Sequence, residues 1–445
     1  MARFFGTDGI RGVANVDLTP ELATRVGRAA GAALGGSEGP FFVGRDTRVS
    51  GPMLEAALAA GLCSVGATVE LGGILPTPAI AFLTRERAAA CGVVISASHN
   101  PVEDNGIKLF GPDGFKLPDA VESAIETLID EPPQIRPTGT GVAGIHAVPE
   151  GEDSYLAYLT SLSDGGVAGL RIVVDCAYGA AYRVAPRLWS ELGATVISLH
   201  DEPDGSRINV GCGSTHLEPL RRAVTAHGAD LGFAHDGDAD RVLAVDDRGE
   251  DVDGDALMGI TALDRHARGA LAGATVVATV MSNIGLEEVL TRAGIRLERA
   301  QVGDRYVLER MRDLGVILGG EQSGHLIFLD RATTGDGLVT AIELTNIMIR
   351  TGRRLSELRA AIPRYPQVLV NVRVRARDGV ATSPPVARAV AAAAARLASR
   401  GRILVRPSGT EPLVRVMVEA EHQSEAEGIA AEVAAVISQH HGAGG

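Results

Sequence analysis

Short apolar runs that open into small, polar, glycine-rich loops recur along the whole chain. The runs read as buried strands, and the stretches of helical period between them as helices. Strands are expected at residues 41–43, 67–71, 93–95, 171–175, 231–235, 242–245 and 275–280, with a turn and short strand over 105–110. Three more fall at 368–374, 402–406 and 414–420. Thr19 caps a helix that has Pro20 at its first position. Further helices are expected near 52–64, 78–84, 119–130, 155–162 and 385–399, and one closes the chain before a disordered tail from about His440. Strands alternating with helices imply a mostly parallel sheet, so the fold class is α/β. Composition shifts divide the chain. Residues 131–152 and 361–367 are rich in proline or glycine, and 246–253 is a polar link. The expected units are 1–135, 150–250, 251–362 and 366–440.

At 445 residues the chain exceeds one core, and length alone suggests about three domains. The net charge of −13 argues against nucleic acid as the main partner, because no basic surplus is present to neutralise phosphates. Small anionic substrates stay open, since local arginines can bind them. Cys63, Cys91, Cys176 and Cys212 show no metal-type pairing and read as reduced residues of core or loops. The first residues lack the apolar segment of a secretion signal, and no apolar run is long enough to span a bilayer. A cytoplasmic protein is expected.

The candidate chemistry sits in the loops. Val93-Val94-Ile95 opens into Ser96-Ala97-Ser98-His99-Asn100-Pro101. This presents a hydroxyl at the carboxyl end of a strand, where open α/β sheets place their ligands. Serine is a weak nucleophile until a base, a cation or a positive field activates it. His99 is one nearby candidate. Lys108 is another, as a general acid or base if its pKa is lowered. Each residue also has a plain structural reading, as a turn serine, a satisfied histidine or a solvated lysine. Asp236, Asp238 and Asp240 alternate between two strands. In extended chain, residues two apart point the same way, so three carboxylates converge on a hard-cation site suited to magnesium. An acidic hairpin turn is the alternative. A calcium loop of the EF-hand type is rejected, because Arg241 and Asp247 stand where it needs glycine and glutamate. The stretch Arg406-Pro407-Ser408-Gly409-Thr410-Glu411-Pro412 combines an arginine, two hydroxyls and flexible amides that can hold a phosphate dianion, with Arg415 beyond. A strand-connecting turn is its alternative, and no Walker loop is present. Glu321, Ser323 and His325 lie two apart in a glycine-flanked loop, suited to sugar hydroxyls or an amine.

Five blocks occur in order: GTDGIRG, ISASHNP, DGDADR, GEQSGH and RPSGTEP. Together they make the chain resemble the α-D-phosphohexomutase superfamily over nearly its whole length. Within it, the Ser-Ala-Ser-His-Asn-Pro block and Gln322 are most similar to the bacterial branch that acts on glucosamine phosphates. The resemblance implies four domains around a central cleft: three similar mixed α/β domains and a smaller C-terminal α+β domain. In order they would carry the phosphoserine loop, the metal loop, the sugar loop and the phosphate loop. The resemblance implies that Ser98 is carried as phosphoserine, and that Asp236, Asp238 and Asp240 bind one Mg2+ together with that phosphate. Arg11, His99, Asn100, Lys108 and Arg241 would surround the transferred phosphoryl group. Glu321, Ser323 and His325 would read the sugar, and Asp304 and Arg305 would belong to a further substrate-contacting loop. Arg406, Ser408, Gly409, Thr410 and Arg415 would grip the phosphate that does not react. The implied activity interconverts glucosamine 6-phosphate and glucosamine 1-phosphate through a glucosamine 1,6-bisphosphate, upstream of UDP-N-acetylglucosamine and cell-wall precursors. A homodimer is implied as well. The rivals are a mutase for mannose or glucose phosphates, a metal-dependent sugar phosphatase and a non-catalytic sensor. The intact Ser98, triple aspartate and Lys108 speak against the sensor.

Overall fold

The computed structural model describes residues 4–6, 8–34, 39–131, 136–398, 400–408 and 412–443. The chain divides into two compact units, Met1–Met281 with Ile295–Ala361, and Ser282–Gly294 with Ile362–Gly445. Three sheets build the first unit. The first runs Ile10–Val13, Asp104–Phe110, Cys91–Ile95, Phe41–Arg45, Val69–Ile74, Ile145–Ala147. It is mostly parallel, with one reversed strand. The four strands from Cys91–Ile95 to Ile145–Ala147 pair in parallel. Asp104–Phe110 pairs antiparallel with both Cys91–Ile95 and Ile10–Val13. The serine turn between Ile95 and Asp104 is the reason, because a parallel crossover needs about a dozen residues or more. Phe41, Phe42, Val43, Val93, Val94 and Ile95 are all fully buried, as continuous apolar strands covered on both faces should be. Helices Pro20–Leu34, Gly51–Cys63 and Asp119–Asp130 add Val26, Leu58 and Ile125 to that core.

The second sheet runs Asp251–Val252, Val242–Asp246, Leu231–His235, Arg171–Asp175, Thr195–Leu199. Residues 246–253, expected as a link, form a hairpin. The Asp246 carboxylate accepts the amides of Arg248 (2.9 Å) and Glu250 (3.0 Å), which closes the turn. The third sheet runs Arg296–Ala300, Thr275–Thr279, Leu318–Gly320, Leu326–Phe328. Helices Gly254–Ala267 and Gly337–Thr351 were not expected from the sequence. Both are buried along most of their length, so they lack the polar face that marks a surface helix.

In the second unit, Leu413–Ala420 lies between Gln367–Arg373 and Gly401–Pro407, antiparallel to both. Its helices are Pro384–Leu397, Gln423–His441 and Ile284–Arg292. The last turn of Gln423–His441 keeps His440 and His441 helical, and His441 Nε2 lies 2.8 Å from Ser383 Oγ, so the disorder expected from about His440 does not begin there. All four cysteines are buried and unpaired with one another. Among the described residues no helix is long and apolar enough to cross a membrane.

Candidate active site

Ser98 sits where the strand Cys91–Ile95 ends, and it is buried. Its backbone is left-handed, with φ +54°. That conformation costs a non-glycine residue on the order of 1–3 kcal/mol and persists only where the surroundings over-determine it. The Ser98 hydroxyl donates to Asp236 Oδ2 at 2.5 Å, and Oγ lies 3.3 Å from His99 Nδ1. Burial, then the cations Arg241 and Arg11, push the His99 imidazole down to about 4. At neutral pH it is uncharged. Arg11 donates to the Asn100 side-chain carbonyl at 3.3 Å and pairs with Asp8.

The aspartate block lies in the loop between the antiparallel strands Leu231–His235 and Val242–Asp246. Its carboxylates converge, but not because the chain is extended. The loop turns: Ala239 has φ +56°, and its amide bonds the Asp236 carbonyl at 3.1 Å. One oxygen from each of Asp236, Asp238 and Asp240 lies within 4.8 Å of the others, and all three residues are buried. Burial and the neighbouring aspartates raise the Asp236 and Asp240 carboxyls above their ordinary value. Against its burial, Asp238 is held low by Lys108 and by hydrogen bonds from Thr77 and Lys108. Asp238 Oδ1 and Asp240 Oδ1 are buried without a hydrogen-bond partner. Unpartnered carboxylate oxygens facing one another are unstable alone and suit a hard divalent cation. Thr77 holds the loop from one side through its hydroxyl (2.7 Å to Asp238 Oδ2), and Gly337 holds it from another through its amide (3.0 Å to the Ala239 carbonyl).

Lys108 is buried, 2.9 Å from Asp238, 3.2 Å from Asp8 and 3.7 Å from Asp240. Although burial opposes its charge, these carboxylates raise its pKa above that of an ordinary lysine. These contacts favour its charged form over the lowered pKa that an acid–base lysine was expected to need. Lys108 is a fixed ammonium in this site, and it is not a solvated surface lysine either.

Glu321–His325 forms the tight turn between Leu318–Gly320 and Leu326–Phe328. The Glu321 and His325 backbones pair at 3.0 Å. The turn is pinned to the aspartate loop's strand, since the Gly324 carbonyl accepts the Val242 amide at 3.1 Å. Gly324 has φ +92°, and a Cβ there would meet the Val242 carbonyl. Glu321 accepts the Gly303 amide at 3.1 Å. The buried His325 ring lies 3.8 Å from Asp304 and 4.0 Å from Asp240, and neither ring nitrogen has a hydrogen-bond partner. The Ser323 hydroxyl oxygen is also buried and unpartnered. Arg241 sends its backbone amide to Asp236 at 3.1 Å, while its side-chain Nε stands 3.8 Å from Asp240. Asp304 pairs with the partly buried Lys116, which also pairs with Asp8. Arg305 has protein partners of its own. It donates to the Leu117 carbonyl (2.8 Å) and to Glu122 (3.1 Å) and pairs with Asp119 (2.7 Å), so it braces the helix Asp119–Asp130.

In the second unit, Arg406 and Arg415 are register partners on neighbouring antiparallel strands. Burial and Arg415 lower the Arg406 pKa. Like charges directly opposite are destabilising alone, and an anion relieves them. The Ser408 amide bonds the Leu413 carbonyl at 2.9 Å. Gly409 and Thr410 lie outside the described residues.

Four models of the phosphoglucomutase/phosphomannomutase family match the chain. Alpha/beta/alpha domain I covers residues 2–136, domain II 153–249, domain III 253–365 and the C-terminal domain 369–436. The phosphoglucosamine mutase of Moorella thermoacetica is 56% identical over 442 residues, which cover 98% of this chain and 100% of that protein. The chain belongs to the phosphoglucosamine mutase family. The member from Symbiobacterium thermophilum is 53% identical over 98% of this chain and 99% of its own length. Among solved structures, a phosphoglucomutase/phosphomannomutase family protein from Burkholderia thailandensis aligns with a TM-score of 0.82 at 25% identity, over 99% of this chain and 98% of that one. An Aspergillus fumigatus N-acetylphosphoglucosamine mutase, solved with GlcNAc-6P and magnesium, shares the fold with a TM-score of 0.71 at 20% identity, over 99% and 96% of the two chains.

As a phosphoglucosamine mutase family member, the chain is an isomerase, a phosphomutase. Within its first unit the structure brings together Arg11, Ser98, His99, Asn100, Lys108, the three aspartates, Arg241, Asp304 and His325. Sequence reasoning missed Asp8, Thr77 and Lys116. Asp8 stands inside the GTDGIRG block and was within reach of the same argument that selected Arg11. Thr77 and Lys116 carry no motif, and only their contacts reveal them.

Proposed function

We propose that the chain interconverts glucosamine 6-phosphate and glucosamine 1-phosphate, with Ser98 as the phosphoryl carrier. The observation that carries this reading is the Ser98 hydroxyl 2.5 Å from Asp236, inside a ring of three buried carboxylates and under a fixed lysine. Phosphoryl transfer asks mainly for in-line positioning and for neutralised oxygen charge. Asp236, Asp238 and Asp240 would hold Mg2+ with the Ser98 phosphate. When bound, that ion offsets charge on the phosphoryl oxygens. Lys108 and Arg11 add positive field from the protein. The phosphorus–Ser98 oxygen bond breaks as the bond to the sugar 1-hydroxyl oxygen forms. The proton released by the sugar hydroxyl has to reach the departing Ser98 oxygen, and His99, whose Nδ1 lies 3.3 Å from Ser98 Oγ, would relay it there. The glucosamine 1,6-bisphosphate then turns over, and its 6-phosphoryl group returns to Ser98. Asn100, Arg241 and Asp304 would surround the transferred group. Glu321, Ser323 and His325 would read the sugar, and Arg406, Ser408, Gly409, Thr410 and Arg415 would grip the idle phosphate in both orientations. The same reading assigns four domains, 1–135, 150–250, 251–362 and 366–440, in a cytoplasmic homodimer whose partner is a small sugar phosphate.

A second reading, a mutase for glucose or mannose phosphates, is favoured by the family models, which describe phosphoglucomutase and phosphomannomutase domains. Phosphosite mapping, followed by phosphorus NMR with glucosamine 6-phosphate and magnesium, decides between them. A phosphate on Ser98 and a growing 1-phosphate signal is the expected result. Growth of inorganic phosphate would make the protein a phosphatase. Conversion of glucose or mannose phosphates alone would keep the mechanism and change the substrate.

A further inference from the structure

The block Gly44-Arg45-Asp46-Thr47-Arg48-Val49-Ser50 follows the strand that lies beside the serine strand, and nothing above gives it a task. Arg48 is completely buried, a position that arginine occupies only when paired. Its guanidinium faces the serine turn. Nη2 donates to the carbonyls of Ser98 (3.0 Å) and Asn100 (2.9 Å), and Nη1 to those of Asp104 (2.8 Å) and Pro101. Its Nε pairs with Asp46 Oδ2 at 3.0 Å. The same Asp46 oxygen accepts the Ser96 hydroxyl at 2.6 Å, and Ser96 Oγ in turn accepts the Ser98 amide at 2.9 Å. Both backbone polar groups of Ser98 therefore end on one buried ion pair. Asn209, from the second sheet's side of the site, donates to the Ser98 carbonyl at 2.9 Å and the Asn100 carbonyl at 3.4 Å. Gly237 of the aspartate loop packs onto that carbonyl as well, since a Cβ there would lie 2.6 Å from it.

We infer that Arg48, anchored by Asp46 and joined by Asn209, is a positioning residue for phosphoryl transfer. The turn closes in part on its own amides, Asn100 to the Ala97 carbonyl (3.1 Å) and Asp104 to that of Pro101 (3.2 Å). Beyond these, a cation gathers the carbonyls of Ser98, Asn100, Pro101 and Asp104 and fixes the left-handed Ser98 backbone, which in turn aims Oγ at the aspartate ring. Only a planar fork with donors on three nitrogens reaches all these acceptors, so lysine cannot replace it. Neither Arg48 nor Asn209 touches the hydroxyl. Removing them should move the nucleophile while leaving the substrate-reading residues in place.

The inference rests on the phosphoserine reading, and the test keeps the two apart. Full-length N209A, R48K and wild type are charged with glucosamine 1,6-bisphosphate, and steady-state kinetics are measured with the phosphorus resonance of phosphoserine. A displacement of about 1 Å costs on the order of a hundredfold in rate. N209A is expected to lower kcat about tenfold and R48K about a hundredfold, with KM for glucosamine 6-phosphate held within about twofold and a shifted phosphoserine resonance. N209A loses only one side-chain amide, so it carries the test if R48K fails to fold. Wild-type kcat with an unmoved resonance in folded N209A overturns the inference, as does a rise in KM with kcat unchanged. An inactive, unphosphorylated wild type overturns the phosphoserine reading and this inference with it.

Discussion

At the scale of single residues, the site depends on who faces whom. Ser98 is the one hydroxyl held within hydrogen-bond reach of the aspartate ring from the serine turn. S98A removes the carrier oxygen and leaves the turn's backbone bonds intact. We expect activity to fall by about a thousandfold or more, with circular dichroism and Tm near wild type; retained turnover would remove Ser98 from the mechanism. Arg305 makes the opposite case. It spends its donors on Leu117, Glu122 and Asp119. R305M should lower stability by about 1–3 kcal/mol, because the buried Glu122 loses its partner, while KM stays within about twofold. A tenfold rise in KM with unchanged Tm would return Arg305 to the substrate.

At the scale of elements, the helix Gly337–Thr351 presses its N-terminus on the aspartate loop. Asp336 caps it, accepting the amides of Leu338 (2.9 Å) and Val339 (3.0 Å) and the Tyr155 hydroxyl (2.7 Å). Burial pushes the Asp336 carboxyl up to about 6. An unfolded aspartate titrates near 4, so between about pH 4 and pH 6 the native state binds the extra proton. Stability from this group is present below that window and falls as pH rises through it, by roughly 2–3 kcal/mol. D336N keeps the cap's accepting oxygen and removes the titration. Its stability relative to wild type should therefore improve from pH 4.5 to pH 7 in urea unfolding series. A difference that does not vary with pH would contradict the assignment.

At the scale of the molecule, two compact units do not promise one cooperative transition. The three metal-competent aspartates all lie in the unit that contains residues 1–281. A ligand that binds only the native state adds about 2.7 kcal/mol at a hundred times its Kd. Magnesium should therefore raise the melting transition of that unit and leave the other in place, and D238N should abolish the rise. Calorimetry of the full chain with magnesium and with chelator checks this. Equal shifts in both transitions, or none in either, would count against a site at the aspartates.

Much of this protein is written in local order. The serine turn announces itself because Val93–Ile95 and Pro101 are its sequence neighbours, and the aspartates because they alternate within one short loop. Their spacing named the carboxylates that converge even where the geometric reason was wrong, since a turn at Ala239, not an extended strand, brings them together. The helices Gly254–Ala267 and Gly337–Thr351 stayed hidden, because burial on all sides erases the periodicity that marks a helix. The charge of Lys108, the bracing role of Arg305 and the grip of Arg48 on the serine turn were likewise out of reach. Lys108 meets Asp238 from 130 residues away, and Arg305 meets Glu122 from 183. Sequence by itself determined which chemical groups are present and which loops carry them, because local spacing and turn chemistry act over a few residues. Only the tertiary structure decided which groups face each other in a buried, low-dielectric site, and that pairing sets whether a side chain is charged, committed or free to act.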